Sequence, residues 1–175
     1  MNIQDIHARL LRPFRPWIVG ADLEAIDPWI EVRPDGLPEI ARFLFKDREL
    51  AFDVLHCVTG VDYFEPDPKK AVDAGPSRLE LIYHLSSTLK RHRLVLKVRL
   101  PRWFDDQPGQ LPEMQSVSSI WSTADWHERE VFDLMGVCFV DHPDLRRILC
   151  PEDWDGYPLR KDYVMPAEYH GIPSR

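Results

Sequence analysis

The residue types capable of chemistry gather between Trp121 and Tyr163. His127-Glu128 opens like the His-Glu-x-x-His zinc motif, but the second His would have to stand at position 131, which is Val131. His127, Cys138, His142 and Cys150 carry ligand-type atoms at spacings that fit no closed zinc site. Glu128 and Glu130, two apart on a helical pattern, project to nearly opposite sides and cannot serve one substrate as acid and base. His56 and Cys57, neighbours on an alternating strand, are expected to point apart. No nucleophile elbow or phosphate loop occurs, and the eight glycines are scattered. The expectation is no catalytic residue, no metal and no cofactor held by this chain.

Two basic pairs suggest recognition instead. Arg146-Arg147 and Arg160-Lys161 sit beside proline and aromatic residues, where a guanidinium can fork onto a neighbour's carboxylate. Aromatic residues and Arg dominate protein interfaces. Trp126, Trp154, Tyr157, Arg160, Lys161, Asp162 and Tyr163 are therefore the expected partner interface.

A helix over 124–135 must position these groups. Ser122 and Asp125 are spaced as a capping box with Asp in place of Glu, and Gly136 suits the left-handed residue that ends a helix. At about 100° per residue, Ala124, Val131, Phe132, Leu134 and Met135 form an apolar sector. Glu128 falls in its middle, while Arg129, Glu130 and Asp133 lie opposite, with Arg129 and Asp133 at i,i+4 spacing. A core-facing carboxylate must be paired, hydrogen-bonded or protonated. Arg146, Arg147 and Arg160 are the nearest candidates, so Glu128 is expected to pair with one of these tail arginines.

Several of these residues also carry a family resemblance. The run Glu128-Arg129-Glu130-Val131-Phe132-Asp133-Leu134-Met135-Gly136, followed by His142-Pro143-Asp144-Leu145-Arg146-Arg147, resembles the signature of the 30-kDa subunit family of respiratory complex I. Pro151-Glu152-Asp153-Trp154, Pro158 to Tyr163, Ser116 to Trp121 and Val58 to Tyr63 extend the match in order. The resemblance marks Glu128, Arg129, Glu130, Asp133, Gly136, His142, Pro143, Arg146 and Arg147 as signature residues. It implies a cofactor-free subunit in the quinone module of the peripheral arm of a proton-translocating NADH:quinone oxidoreductase. FMN, iron–sulfur clusters and quinone would belong to the parent complex. The implied partners are the large 49-kDa-type quinone-module subunit, the terminal-cluster subunit and other peripheral-arm subunits. The implied place is the cytoplasmic side of the inner membrane, reached only through the complex, and the isolated chain would be inactive. Two alternatives stand beside it. One is a homologous subunit of an energy-converting hydrogenase or a ferredoxin- or deazaflavin-linked complex, and the other is a stand-alone enzyme.

Composition sets outer bounds. A chain of 175 residues, 44% hydrophobic and 29% charged, can bury a core without disulfide or metal. A net charge of −7 counts against nucleic acid as a partner. Lys90, Arg91, Arg93, Lys97, Arg99 and Arg102 read as a solvated basic strand face. Three cysteines without CxxC spacing suggest a reducing compartment, and no run is long and apolar enough for a membrane span. The N-terminal stretch lacks the apolar core of a signal peptide.

The remaining elements follow from periodicity. Helices are expected over 1–11 and 37–46, strands over 29–32 and 52–61, and an antiparallel pair at 79–85 and 94–100. A loop should run from Phe64 to Arg78, and Val137 to Val140 reads as a short edge strand. Together these predict an α+β fold: a two-layer mixed sheet with helices mainly on one face, over residues 1–140. Residues 141–175, interrupted by Pro143, Pro151, Pro158, Pro166 and Pro173, are expected to form an extended proline-rich C-terminal tail docking on partner subunits.

Overall fold

In the computed structural model, residues 1–67, 69–70 and 76–174 are described. Helix α1, Ile3–Phe14, starts where the Asn2 side chain accepts the Asp5 amide at 2.7 Å, and it buries Ile6 and Leu10. Strand β1, Ile18–Asp22, forms a hairpin with β2, Trp29–Val32. Helix α2, Leu37–Lys46, has the expected bounds, with Pro38 in its first turn and Ile40, Ala41 and Leu44 buried. Strands β3 (Val54–Tyr63), β4 (Arg78–Ser86) and β5 (Arg93–Leu100) follow.

The sheet order is β1-β2-β5-β4-β3. β2 runs parallel to β5, whereas the β3–β4, β4–β5 and β1–β2 pairs are antiparallel, so the sheet is mixed as expected. Leu79, Leu81, Tyr83 and Leu85 of β4 share the core face with Leu94, Leu96, Val98 and Leu100 of β5, all buried. Two-residue alternation aims one face of each strand at the helices. A β-bulge between Leu55 and Cys57 breaks that alternation in β3. Leu55 and Val58 are both buried, and His56 and Cys57 between them line one common groove. The expectation that those two side chains point apart is corrected by this extra residue.

Beyond β5, strand β6 (Glu113–Gln115) pairs in parallel with β7 (Cys138–Val140), and helix α3 (Ala124–Met135) lies between them in sequence. A two-residue pair, β8 (Glu168–Tyr169) with β9 (Ile172–Pro173), follows late in the chain. Strands β6, β8 and β9 are too short to show a hydrophobic period. The loop expected from Phe64 to Arg78 lies partly outside the described residues, and Arg78 itself begins β4.

Helix α3 has its expected bounds, with one correction at its start. No side chain caps it: Thr123 occupies the cap position and gives its hydroxyl to the Leu55 carbonyl at 2.9 Å. That bond ties the helix to β3. Gly136 ends the helix at φ 66°, ψ 57°, the left-handed conformation expected of it.

Candidate functional site

Helix α3 buries charge on more than one side. Glu128 and Asp133 are fully buried and Arg129 nearly so, leaving Glu130 and Trp126 exposed. The charged face read from the helical wheel is thus largely covered by the segment after β7. Arg129 and Asp133 do not pair with each other. Arg129 stacks 4.9 Å from the Trp126 ring and donates to the Arg146 carbonyl at 3.3 Å.

Among the described residues no arginine bonds Glu128. Its carboxylate accepts the Ser116 hydroxyl at 2.6 Å and the Val117 amide at 2.8 Å, and the His142 Nε2 stands 3.9 Å away. The expected pairing with a tail arginine is corrected here: the loop after β6 reaches Glu128 first. Burial drives its carboxyl up to about 7, against the two hydrogen bonds that favour the charged form, and Asp125 adds repulsion. The Tyr83 hydroxyl is buried without a hydrogen-bond partner among the described residues; burial first, then Glu128, push it well above the usual phenol range. His142 Nδ1 accepts the Asp144 amide at 3.0 Å, so the ring proton sits on Nε2 and donates to the Asp125 carbonyl at 3.1 Å.

Asp133, rather than Glu128, takes the arginine. Arg147 Nη1 donates to its Oδ1 at 2.7 Å, and the amides of Ile148, Leu149 and Cys150 converge on Oδ2 at 3.0, 2.7 and 2.9 Å. Burial alone would raise this carboxyl. The Cys150 and Leu149 amides, Arg147 and the Ile148 amide outweigh it and hold the carboxyl below its usual range. Arg147 also donates to the Gly156 carbonyl at 3.0 Å.

A second anchor lies where α3 ends, at Met135 and Gly136. Asp62 accepts both Arg102 Nε at 2.8 Å and Nη2 at 2.9 Å, plus the Lys161 amide at 3.0 Å; Arg102 also reaches Asp162 at 2.6 Å. Arg160 donates to the carbonyls of Met135, Gly136 and Arg102 and lies 3.7 Å over the Trp103 ring. Burial, then Arg102, bring its guanidinium down to about 10, so it stays charged at neutral pH. Arg160 is expected from its sequence setting to face a partner; the structure turns it inward, 5% exposed. Arg102, expected on a solvated face, is buried against Asp62 instead. Asp62 falls two residues after Gly60 and four after Val58, in the core phase of β3. A lone carboxylate there requires a cation, a signal that the sequence held.

Of the interface candidates, Trp154, Tyr157, Asp162 and Tyr163 join Trp103, Arg147 and Arg160 around one concavity of about 560 Å³. The Trp154 indole N–H there is buried without a partner among the described residues. Lys161 is exposed, as are Pro143 and Arg146, the latter held by Asp144 at 2.9 Å. Trp126 stands 63% exposed on α3, away from this concavity. Among the described residues no group of three or more His, Cys, Asp or Glu is placed to hold a metal ion.

Residues 30–169 match the family described as respiratory-chain NADH dehydrogenase, 30 Kd subunit. The chain belongs to that family. Its Asp133–Arg147 and Glu128–Ser116 contacts show what several of the signature residues do in this 30-kDa-type fold: they bind the segment after β7, and the loop after β6, to α3. The NADH-quinone oxidoreductase C subunit of Chlorobium phaeobacteroides is 44% identical over 83% of this chain and 78% of its own length. That of Roseiflexus castenholzii is 39% identical over 92% of this chain and 83% of its own. That of Chloroherpeton thalassium is 39% identical over 97% of this chain, which spans 58% of that protein's length. A chain of the membrane-bound sulfane sulfur reductase, an archaeal respiratory membrane complex, superposes with a TM-score of 0.69 at 24% identity, over 94% of this chain and 86% of that one. The trypsin-resistant fragment of Nqo5 gives 0.60 at 24%, over 83% and 100%. At these identities the structural likeness concerns the fold.

Proposed function

We propose that this 30-kDa-family chain is a cofactor-free structural subunit of the quinone module in the peripheral arm of a proton-translocating NADH:quinone oxidoreductase. It supports electron transfer from NADH through FMN and iron–sulfur clusters, carried by other subunits, to quinone. The family match over residues 30–169 carries the reading. The geometry supports it in one respect: the tail's buried ion pairs are satisfied internally, while Leu149, Leu159, Val164, Met165 and Ile172 stay exposed. With Trp126, Lys161 and the concavity holding Trp154, Tyr157 and Tyr163, these side chains form the surface offered to a 49-kDa-type subunit and to the terminal-cluster subunit. The isolated chain would be catalytically inactive, and its place would be peripheral, on the cytoplasmic side of the membrane, through the complex.

The test is capture of the tagged full-length protein from its native membrane in mild detergent, followed by identification of bound subunits and an NADH:quinone assay. A flavin- and cluster-containing assembly that oxidises NADH is the expected result. A nickel-containing or ferredoxin-linked assembly would overturn the NADH assignment. Recovery of the bare monomer would overturn the subunit reading.

A further inference from the structure

Among the described residues, helices α1, α2 and α3 pack on one face of the five-stranded sheet. On the other face the register aligns Trp29, Val95, His84 and Cys57 in one row, and Glu31, Lys97, Ile82 and Thr59 in the next. The side chains of this face are half-buried or exposed, except for the carboxylates of Glu31 and Glu80. Those two lie under arginines. Arg99 bridges Glu31 at 2.8 Å and Glu80 at 3.2 Å, and Arg78 holds Glu80 at 2.8 Å. Lys97 sits 4.2 Å over the Trp29 ring, and Arg78 sits 4.2 Å over that of Tyr63.

The outer charge of this face is therefore cationic. Strands β2 to β5 place four cations on it (Arg78, Arg93, Lys97 and Arg99) against two carboxylates, in a chain of net charge −7. At one end runs a groove of about 380 Å³ with apolar walls from Ile3, Pro28 and Val95; His56, His84 and Arg93 also line it, with Asp27 the one acidic residue among the described ones. An antiparallel sheet can simply face water, with polar residues throughout. Trp29, Val61, Ile82 and Val95 depart from that pattern, since they put an apolar strip among the cations.

We infer that this open sheet face is a second interface, and that its occupant is an acidic, partly apolar surface of another protein subunit. The inference rests on the subunit reading above. Charge complementarity selects the occupant: cations lying over aromatic rings lose hydration on docking and need carboxylates in return. An anionic bilayer is the weaker match, because a chain of net charge −7 is repelled by it. With the tail gripping one partner and the sheet face another, the chain would bridge two subunits without carrying a cofactor.

Hydroxyl-radical footprinting of the native complex and of the purified full-length chain tests this. Oxidation of Trp29, Tyr63 and Ile82 should fall severalfold in the complex. Equal oxidation at these residues, with Leu159 and Met165 protected, would overturn the second interface and leave the subunit reading intact. Equal oxidation at both sets would overturn both. Protection that disappears when lipid is stripped from an otherwise intact complex would identify an anionic lipid and overturn the protein occupant. In a second arm, Arg93→Glu with Lys97→Glu should lower recovery of co-purifying subunits roughly tenfold or more, as loss of buried charge pairs does. Arg93→Lys with Lys97→Arg should preserve it. Undiminished recovery in the charge-reversed chain, with its circular dichroism unchanged, would overturn the proposed complementarity.

Discussion

Glu128 is a fully buried acid whose hydrogen-bond donors, among the described residues, are a hydroxyl and one amide. With its carboxyl raised from 4.5 to about 7, the folded protein binds a proton between those values that the unfolded chain has released. The contribution is present in full below pH 4.5 and is lost as pH rises to about 7, by on the order of 3 kcal/mol. Glu128→Gln keeps an acceptor for the Val117 amide and offers an N–H to Ser116, with no charge to bury. Urea melts at pH 5 and pH 8 should show the wild type losing stability over that interval and the variant losing about 3 kcal/mol less. Parallel pH dependence in the two proteins would sink this account.

Helix α3 is held at its C-terminal end by an element-scale constraint. Gly136 adopts φ 66°, and a Cβ there would stand 2.7 Å from the Tyr157 ring. Backbone conformation and tail packing therefore both require glycine, which is why a helix stop in the sequence is also a docking point in the fold. Gly136→Ala should cost roughly 2 kcal/mol or more, part from the left-handed backbone and part from displacing Tyr157. A double-mutant cycle with Tyr157→Ala should recover the second part only; full additivity would show that the ring clash is not felt. The bounds of α3 and α2, and the β4–β5 pairing, were legible because each has a clean apolar period. β6, β8 and β9, of two or three residues, carry too few side chains to display one.

For the whole molecule, the controlling question is how a segment with so little regular structure stays on the domain. Asp133 binds it through Arg147 and three successive amides, and Arg102, Asp62 and Arg160 bind it again 13 to 15 residues later in sequence, at Arg160 to Asp162. Asp133→Asn leaves Arg147 mostly buried without its counter-charge and should cost roughly 2–4 kcal/mol. Amide exchange at Ile148, Leu149 and Cys150 should quicken by about tenfold or more, with faster proteolysis after Val140, while α2 and β5 keep their protection. Uniform loss of protection across the chain would mean that the anchor and the core unfold as one unit.

By itself the sequence determined the α+β class, the main helices and central strands, and the family, because these depend on local period and on a long ordered signature. It also required partners for the buried acid on α3. Which acid takes which partner was decided only by the tertiary structure. Glu128 and Asp133 lie five residues apart on α3; the tail arginines were the sequence's candidates for the first, and Arg129 at i,i+4 spacing stood beside the second. Their bonds instead follow the three-dimensional approach of other segments. The loop at Ser116 and Val117 closes on Glu128, while the chain at 147–150 closes on Asp133. The link from Asp62 to Lys161 spans 99 positions, a separation over which no spacing rule carries information. Charge–charge and hydrogen-bond energies fall off over a few ångströms, so the choice of partner is set by the packing that brings segments together.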